Sequence, residues 1–216
     1  MKNIINLVKM SYSNLNAVKS ILLISITLFI AGSVINPIFL NMLIGIIVYQ
    51  MTYQVIAYEE SYGIDYLIST LPVKKKEYIT SRYIFGLTSI IISILIFTIT
   101  YRLVLSFSSK SYDIIDFKTM LIIGIASSIV LVSVLIPSIL KFGIVKGRVF
   151  ITVVGLSIVM APASLISAMV EEKDAMIFLS KINEIGIETI FLVLSIIVLT
   201  ISYIISQNIY KNKQVL

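Results

Sequence analysis

Two adjacent carboxylates, Glu59 and Glu60, open the most polar internal stretch of the chain. Three lysines and a glutamate (Lys74, Lys75, Lys76, Glu77) and then Arg82 close it. Paired carboxylates are a resource for acid–base chemistry, but they need companion groups to break a bond. The chain has no cysteine and no histidine, which excludes thiol nucleophiles, disulfides, imidazole catalysis and the usual zinc sites. It also lacks a GxxxxGK[ST] phosphate loop, so it cannot bind ATP through that motif. No charged residue falls near the middle of an apolar run, and nothing therefore suggests a proton or ion relay.

The elements that must position these residues are set by hydropathy. Of 216 residues, 58% are hydrophobic and only 13% charged, whereas a soluble domain carries about a quarter charged residues. An all-α polytopic membrane protein is expected. Six spans of about 20 residues would use about 120 positions and leave about 95 for everything else, too few for a separate soluble domain beside the connections. A single transmembrane domain over residues 1–216 follows, with spans at about 19–35, 38–57, 83–105, 119–140, 149–170 and 189–206. Asn36-Pro37 splits the first long apolar run, because proline disfavours helix at the residue before it. Residues 2–18, with Ile4, Ile5, Leu7, Val8, Tyr12, Leu15 and Val18 loosely on one face, predict an amphipathic interfacial helix. A secretory signal fits less well, since the charged region is long and another apolar run follows where a cleavage site should be. Pro162 interrupts the fifth span. Residues 171–188 form an acidic loop with room for a short re-entrant or interfacial helix, and 141–148 a short basic connection.

Charge placement predicts the orientation. The side holding both tails and the 58–82 and 141–148 connections has 12 basic residues and four acids, and the other side five and seven. By the positive-inside rule both tails of this multi-pass protein are cytoplasmic. With no tryptophan present, tyrosines near the span ends (Tyr49, Tyr53, Tyr58, Tyr78, Tyr83, Tyr101 and Tyr203) are expected to form the aromatic belt. Gly124 with Ser128, and Ser164 with Ala168, are small-residue pairs suited to close helix packing.

Within 58–82, Ile64, Leu67, Ile68 and Leu71 recur at helical spacing and predict a short amphipathic helix that Pro72 ends. Such an apolar face is useful only against a membrane or a partner. Here the chain resembles a known family. Glu59-Glu60, Gly63, Tyr66-Leu67, Ser69, Leu71-Pro72-Val73, Lys76-Glu77, Ile79 and Ser81-Arg82-Tyr83 are similar to the signature between helices 2 and 3 of small type-2 permeases of ATP-binding cassette (ABC) exporters. Thr70 is an insertion relative to one common form, and Arg82 stands where lysine is usual. The motif covers about 25 residues, while the six-helix layout extends over the whole chain. In size and layout the chain is similar to permeases of low-GC Gram-positive bacteria that export phenol-soluble modulins or confer immunity to peptide antibiotics.

The resemblance implies that residues 61–71 are a coupling helix seated in a separate ATPase subunit. Glu59, Glu60, Gly63, Asp65, Leu67, Ile68, Leu71, Pro72, Lys76 and Glu77 are then the coupling residues. It further implies that residues 2–18 are the family's interface helix, that ATP and Mg²⁺ belong to the partner with no cofactor on this chain, and that a second copy or a related permease completes the unit. Amphipathic peptides or other hydrophobic molecules are the implied cargo, with the lipid bilayer as surroundings and no nucleic acid as partner. Asn41, Gln50, Thr52 and Gln54 of the second span need polar partners in hydrocarbon, either on other helices or along a pathway. Two rivals remain. One is a structural, regulatory or secondary-transport protein, although internal repeats and buried charges are not seen. The other is an intramembrane protease similar to the Glu-Glu-x-x-x-Arg prenyl-protein type, but position 64 is isoleucine and the histidines are missing.

Overall fold

The long apolar runs become helices because a backbone in lipid must satisfy its own hydrogen bonds. The structure, a computed structural model, describes residues 2–35, 38–107, 117–171 and 187–212, and every element among them is an α-helix. In chain order these are α1 (Lys2–Ile35), α2 (Ile38–Ser61), α3 (Ile64–Thr70), α4 (Lys75–Phe107), α5 (Phe117–Phe142), α6 (Ile144–Glu171) and α7 (Ile187–Asn212). Five of them, α1, α4, α5, α6 and α7, are long and apolar enough to cross a membrane. The Asn36-Pro37 turn and residues 172–186 of the acidic 171–188 loop, read as having room for a short interfacial or re-entrant helix, lie outside the described residues.

Three inner helices, α2, α4 and α5, pack on one another in every pairing. Each groove of this triangle holds one outer helix: α1 lies on α2 and α4, α6 on α2 and α5, and α7 on α4 and α5. Among the described residues no outer helix touches another. Leu43, Ile44 and Ile47 of α2, Phe85 and Phe97 of α4, and Leu131 and Leu135 of α5 fill the interior. Buried hydroxyls are mostly satisfied along their own helices, as in Ser93 Oγ to the Ile90 carbonyl (2.7 Å) and Ser133 Oγ to the Ile129 carbonyl (2.7 Å). That arrangement removes the desolvation cost of an unpaired polar group without needing a neighbour.

Several expectations change. Residues 2–18 are not a separate interfacial helix; they continue without a break into the first span. The reason is local and tertiary together. Residues 2–31 contain no glycine or proline, and Leu7, Ser11 and Val18 are buried against the bundle instead of lying on lipid. The basic connection at 141–148 contracts to one non-helical residue, Gly143, between α5 and α6. Its φ of 68° is left-handed, which glycine adopts without steric cost, and its N–H closes α5 by donating to the Ile139 carbonyl (2.8 Å). Pro162 does not interrupt the fifth span, since α6 runs through it to Glu171; transmembrane helices tolerate such a proline when neighbours re-satisfy the freed groups. The aromatic belt also loses members. Tyr49, Tyr53, Tyr78 and Tyr83 are buried, and Tyr83 Oη lies 2.7 Å from Ser202 Oγ and 2.8 Å from Ser206 Oγ, joining α4 to α7.

Close approach makes one glycine testable. A Cβ on Gly155 of α6 would sit 2.5 Å from Tyr49 Cε2, whereas one on Gly45 would meet Val159 Cγ2 at 3.4 Å. The Tyr49 ring is stacked on Tyr53 with centroids 5.2 Å apart, which limits its retreat. Gly155→Ala is therefore expected to cost about 1–3 kcal/mol, as overpacking does, and Gly45→Ala far less. Thermal melts of the two variants in detergent check the order; equal midpoints would contradict the α2–α6 packing.

Candidate coupling site

The polar stretch singled out above folds at one end of the bundle. Asn3 Nδ2 donates to Glu77 Oε2 (3.2 Å), Lys75 Nζ to the Lys211 carbonyl (3.2 Å) and the Ile144 N–H to Glu60. The starts of α1 and α4, the ends of α2 and α7, and the α5–α6 turn thus gather together. Lys74 and Lys76 are exposed there, as are Lys141, Lys146, Arg148 and Lys211.

From this end α3 hangs below α2. Gly63 makes the turn at φ 65°, a left-handed position that costs other residues roughly 1–2 kcal/mol. The Gly63 N–H donates to the Glu60 carbonyl (3.1 Å), and its own carbonyl accepts from Tyr66 N–H (3.0 Å). Leu71 then becomes extended (φ −86°, ψ 151°), as the residue before proline prefers, and Pro72 stops the helix where expected. The apolar stripe divides on this seven-residue helix. Ile68 is 5% exposed and packs into the core, with Ile64 beside it, while Leu67 (58%) and Leu71 (52%) face outward next to exposed Tyr62 and Tyr66. The helix packs only on α2 among the described elements, so one side remains open.

The two glutamates do not form an acid–base pair. Glu59, 1% exposed, points inward and makes an ion pair with Arg82 of α4, itself 3% exposed. Its Oε1 accepts from Ser11 Oγ (3.1 Å) and Asn14 Nδ2 (3.0 Å) of α1. Arg82 donates to Ser11 Oγ (3.1 Å) and to Tyr78 Oη (2.8 Å), and its guanidinium lies 4.6 Å from the Tyr78 ring centroid. Buried charges survive when they are paired, and this cluster joins α1, α2 and α4 through the ion pair and its hydrogen bonds, with Arg82 Nε left without a hydrogen-bond partner. Glu60 points elsewhere: both carboxylate oxygens accept from the Ile144 N–H, at 2.9 and 2.8 Å. It caps the first turn of α6, where the helix dipole favours a negative group. Glu77 serves α4 likewise, accepting from the Lys74 N–H (3.1 Å) in the backward half of a capping box.

Of the coupling residues read from sequence, Leu67, Leu71, Pro72 and Lys76 are exposed near the tip, and Gly63 makes the turn. Glu59, Glu60, Ile68 and Glu77 instead hold the tip to the bundle, and the Asp65 side chain lies outside the described residues. Ser11, Asn14 and Tyr78 were missed. Their signal was present as polar residues three apart on the buried stripe of an apolar helix, Ser11 and Asn14 facing one acceptor. Thr52, Gln50 and Gln54 of α2 find partners on their own helix. Thr52 Oγ1 donates to the Val48 carbonyl (2.6 Å), and Gln54 Nε2 to Gln50 Oε1 (3.1 Å). Gln50 and Gln54 are partly exposed, Thr52 is buried, and the Asn41 side chain lies outside the described residues.

A bundle of apolar helices with a short, half-exposed helix projecting from its basic end has no catalytic constellation among the described residues. No curated protein and no solved structure matches the chain. The family model described as ABC-2 family transporter protein matches residues 1–211, and the chain belongs to that family, as a multi-pass type-2 permease of an ABC transporter.

Proposed function

We propose that this chain is the membrane-spanning subunit of an ABC exporter and that a separate ATPase subunit drives it by gripping α3. The observation that carries this reading is the division of α3: Ile68 anchors the helix while Leu67 and Leu71 stand exposed with Tyr62 and Tyr66. An exposed apolar patch rimmed by polar residues is a protein-docking surface, and the chain has no phosphate loop of its own. ATP and Mg²⁺ belong to the partner. α2, 24 residues long and so about 36 Å at 1.5 Å per residue, supplies the sixth span. The basic end faces the cytoplasm, both tails included, in the bacterial cell membrane.

Two permease subunits, two copies of this chain or one and a related permease, enclose the pathway. Gln50 and Gln54 are its polar candidates, since both are partly exposed on the apolar stretch of α2. A mostly apolar, polar-dotted path suits amphipathic peptides or other hydrophobic molecules better than sugars or ions. An ABC ATPase is expected to co-purify with the tagged permease at near-stoichiometric yield. Recovery of a folded permease with no ATPase would overturn the reading. For orientation, Lys75→Cys, at an exposed position, should be shielded from an impermeant maleimide added to intact cells. Ser109→Cys, outside the described residues, should react; the reverse pattern would invert the topology.

A further inference from the structure

Successive residues on a helix point about 100° apart. At the end of α2 this sends the two glutamates toward different helices. Glu59 joins α2 to α1 and α4 through Ser11, Asn14 and Arg82. Glu60 joins it to α6 alone, by taking the Ile144 N–H on both oxygens. Farther along the two helices Tyr49 of α2 is also hydrogen-bonded to the Thr152 side chain of α6. α6 does not touch α1, α4 or α3, so beside its apolar packing on α2 and α5 its start is held by the hydrogen bond to Glu60 and is joined to α5 through the single non-helical residue Gly143. Gly143 is left-handed, and a Cβ there would lie 2.9 Å from Glu60 Oε1. The turn and the carboxylate therefore fit each other: the glycine leaves the space that the carboxylate fills, and the carboxylate holds a helix joined to its predecessor by one residue.

We propose that Glu60 is a positioning residue that makes the start of α6 follow the end of α2 when α3 is displaced, while Glu59 independently carries α1 and α4. The proposal rests on the reading of α3 as the ATPase grip. The two carboxylates divide one input between two sets of helices, α1 with α4 on one side and α6 on the other. Removing Glu60 should leave the ATPase bound but let α6 lag behind α2.

The chain has no native cysteine, so spin-label pairs can be introduced without background. Ser61→Cys at the end of α2 and Val149→Cys on α6, both exposed, report the separation of these helices. The labelled permease–ATPase complex in nanodiscs is measured by pulsed electron–electron resonance without nucleotide and with ATP, Mg²⁺ and vanadate. With Glu60 present, one distance distribution is expected, unchanged by nucleotide. With Glu60→Ala, the distribution should shift or split only in the trapped state, and Glu60→Gln, which keeps one acceptor, should restore much of the native behaviour. A merely structural cap would broaden both states alike, and that result would overturn the proposal. So would an α2–α6 distance that changes with nucleotide when Glu60 is intact, or one that never changes without it. If Glu60→Ala fails to assemble, Gly143→Ala should displace the same carboxylate and give the same nucleotide-dependent shift; its absence would also overturn the proposal. A complex that forms and hydrolyses ATP while α6 ignores Glu60 refutes this inference alone, whereas a permease that never binds an ATPase refutes the reading beneath it.

Discussion

Glu59→Ala is expected to destabilise the protein by about 3–5 kcal/mol, the cost of stranding a buried charge. The stranded group is Arg82, 3% exposed, whose guanidinium would keep Ser11 and Tyr78 but lose its counter-charge. Ser11 and Asn14 would lose their common acceptor as well, so α1 would loosen from α2 and α4 together. The double variant Glu59→Ala/Arg82→Leu should recover part of the loss, because removing both charges removes the desolvation penalty along with the attraction. Glu77→Ala, by contrast, removes a capping carboxylate near the surface, and a much smaller loss is expected from it. Thermal or denaturant unfolding in detergent measures all three. A Glu59→Ala variant as mild as Glu77→Ala would show that the pair is not desolvated.

Leu67→Asp and Ile68→Asp should fail in opposite ways although the residues are adjacent. Leu67 is 58% exposed, and a surface substitution of this kind normally changes stability by no more than about 0.5 kcal/mol. If it is an anchor of the docking surface, losing it should cost about 2 kcal/mol of binding or more, which is roughly a 30-fold weaker complex. The permease should stay folded and lose its ATPase. Ile68 is 5% exposed, and aspartate there would bury an unpaired charge. Low yield and a lowered melting midpoint are expected, with any ATPase loss secondary to misfolding. Size-exclusion profiles, melts and ATPase pull-down separate the two. A folded Leu67→Asp permease that retains its ATPase would sink the assignment of the outer face of α3.

Much of the architecture was legible in the sequence because it depends on local physics. Apolar runs of spanning length become helices wherever the backbone must satisfy itself in lipid. Gly63 and Pro72 bracket the short helix because one permits a left-handed turn and the other forbids continuation. The signature from Glu59 to Tyr83 pointed to the family that residues 1–211 match. What failed also has a common cause. The interfacial helix at 2–18, the basic loop at 141–148 and the break at Pro162 were read as boundaries from polarity or proline alone. In each case packing across the bundle supplied what the local pattern lacked: an acceptor for Ser11 and Asn14, a cap for Ile144, neighbours for α6.

The charge asymmetry, the helical character of the apolar runs, the missing phosphate loop and the position of α3 were thus determined by the sequence alone, because each is a property of residues close along the chain. Which way each side chain faces was decided only by the tertiary structure. Glu59 and Glu60 are chemically identical neighbours, yet one is buried against Arg82 and the other caps α6. Leu67 and Ile68 are equally apolar, yet one is exposed and the other is core. The roles of the two glutamates depend on partners 23 to 84 positions away in the chain, Arg82 from Glu59 and Ile144 from Glu60 among them. A burial or an ion pair of that kind exists only once helices distant in sequence have closed the same end of the bundle.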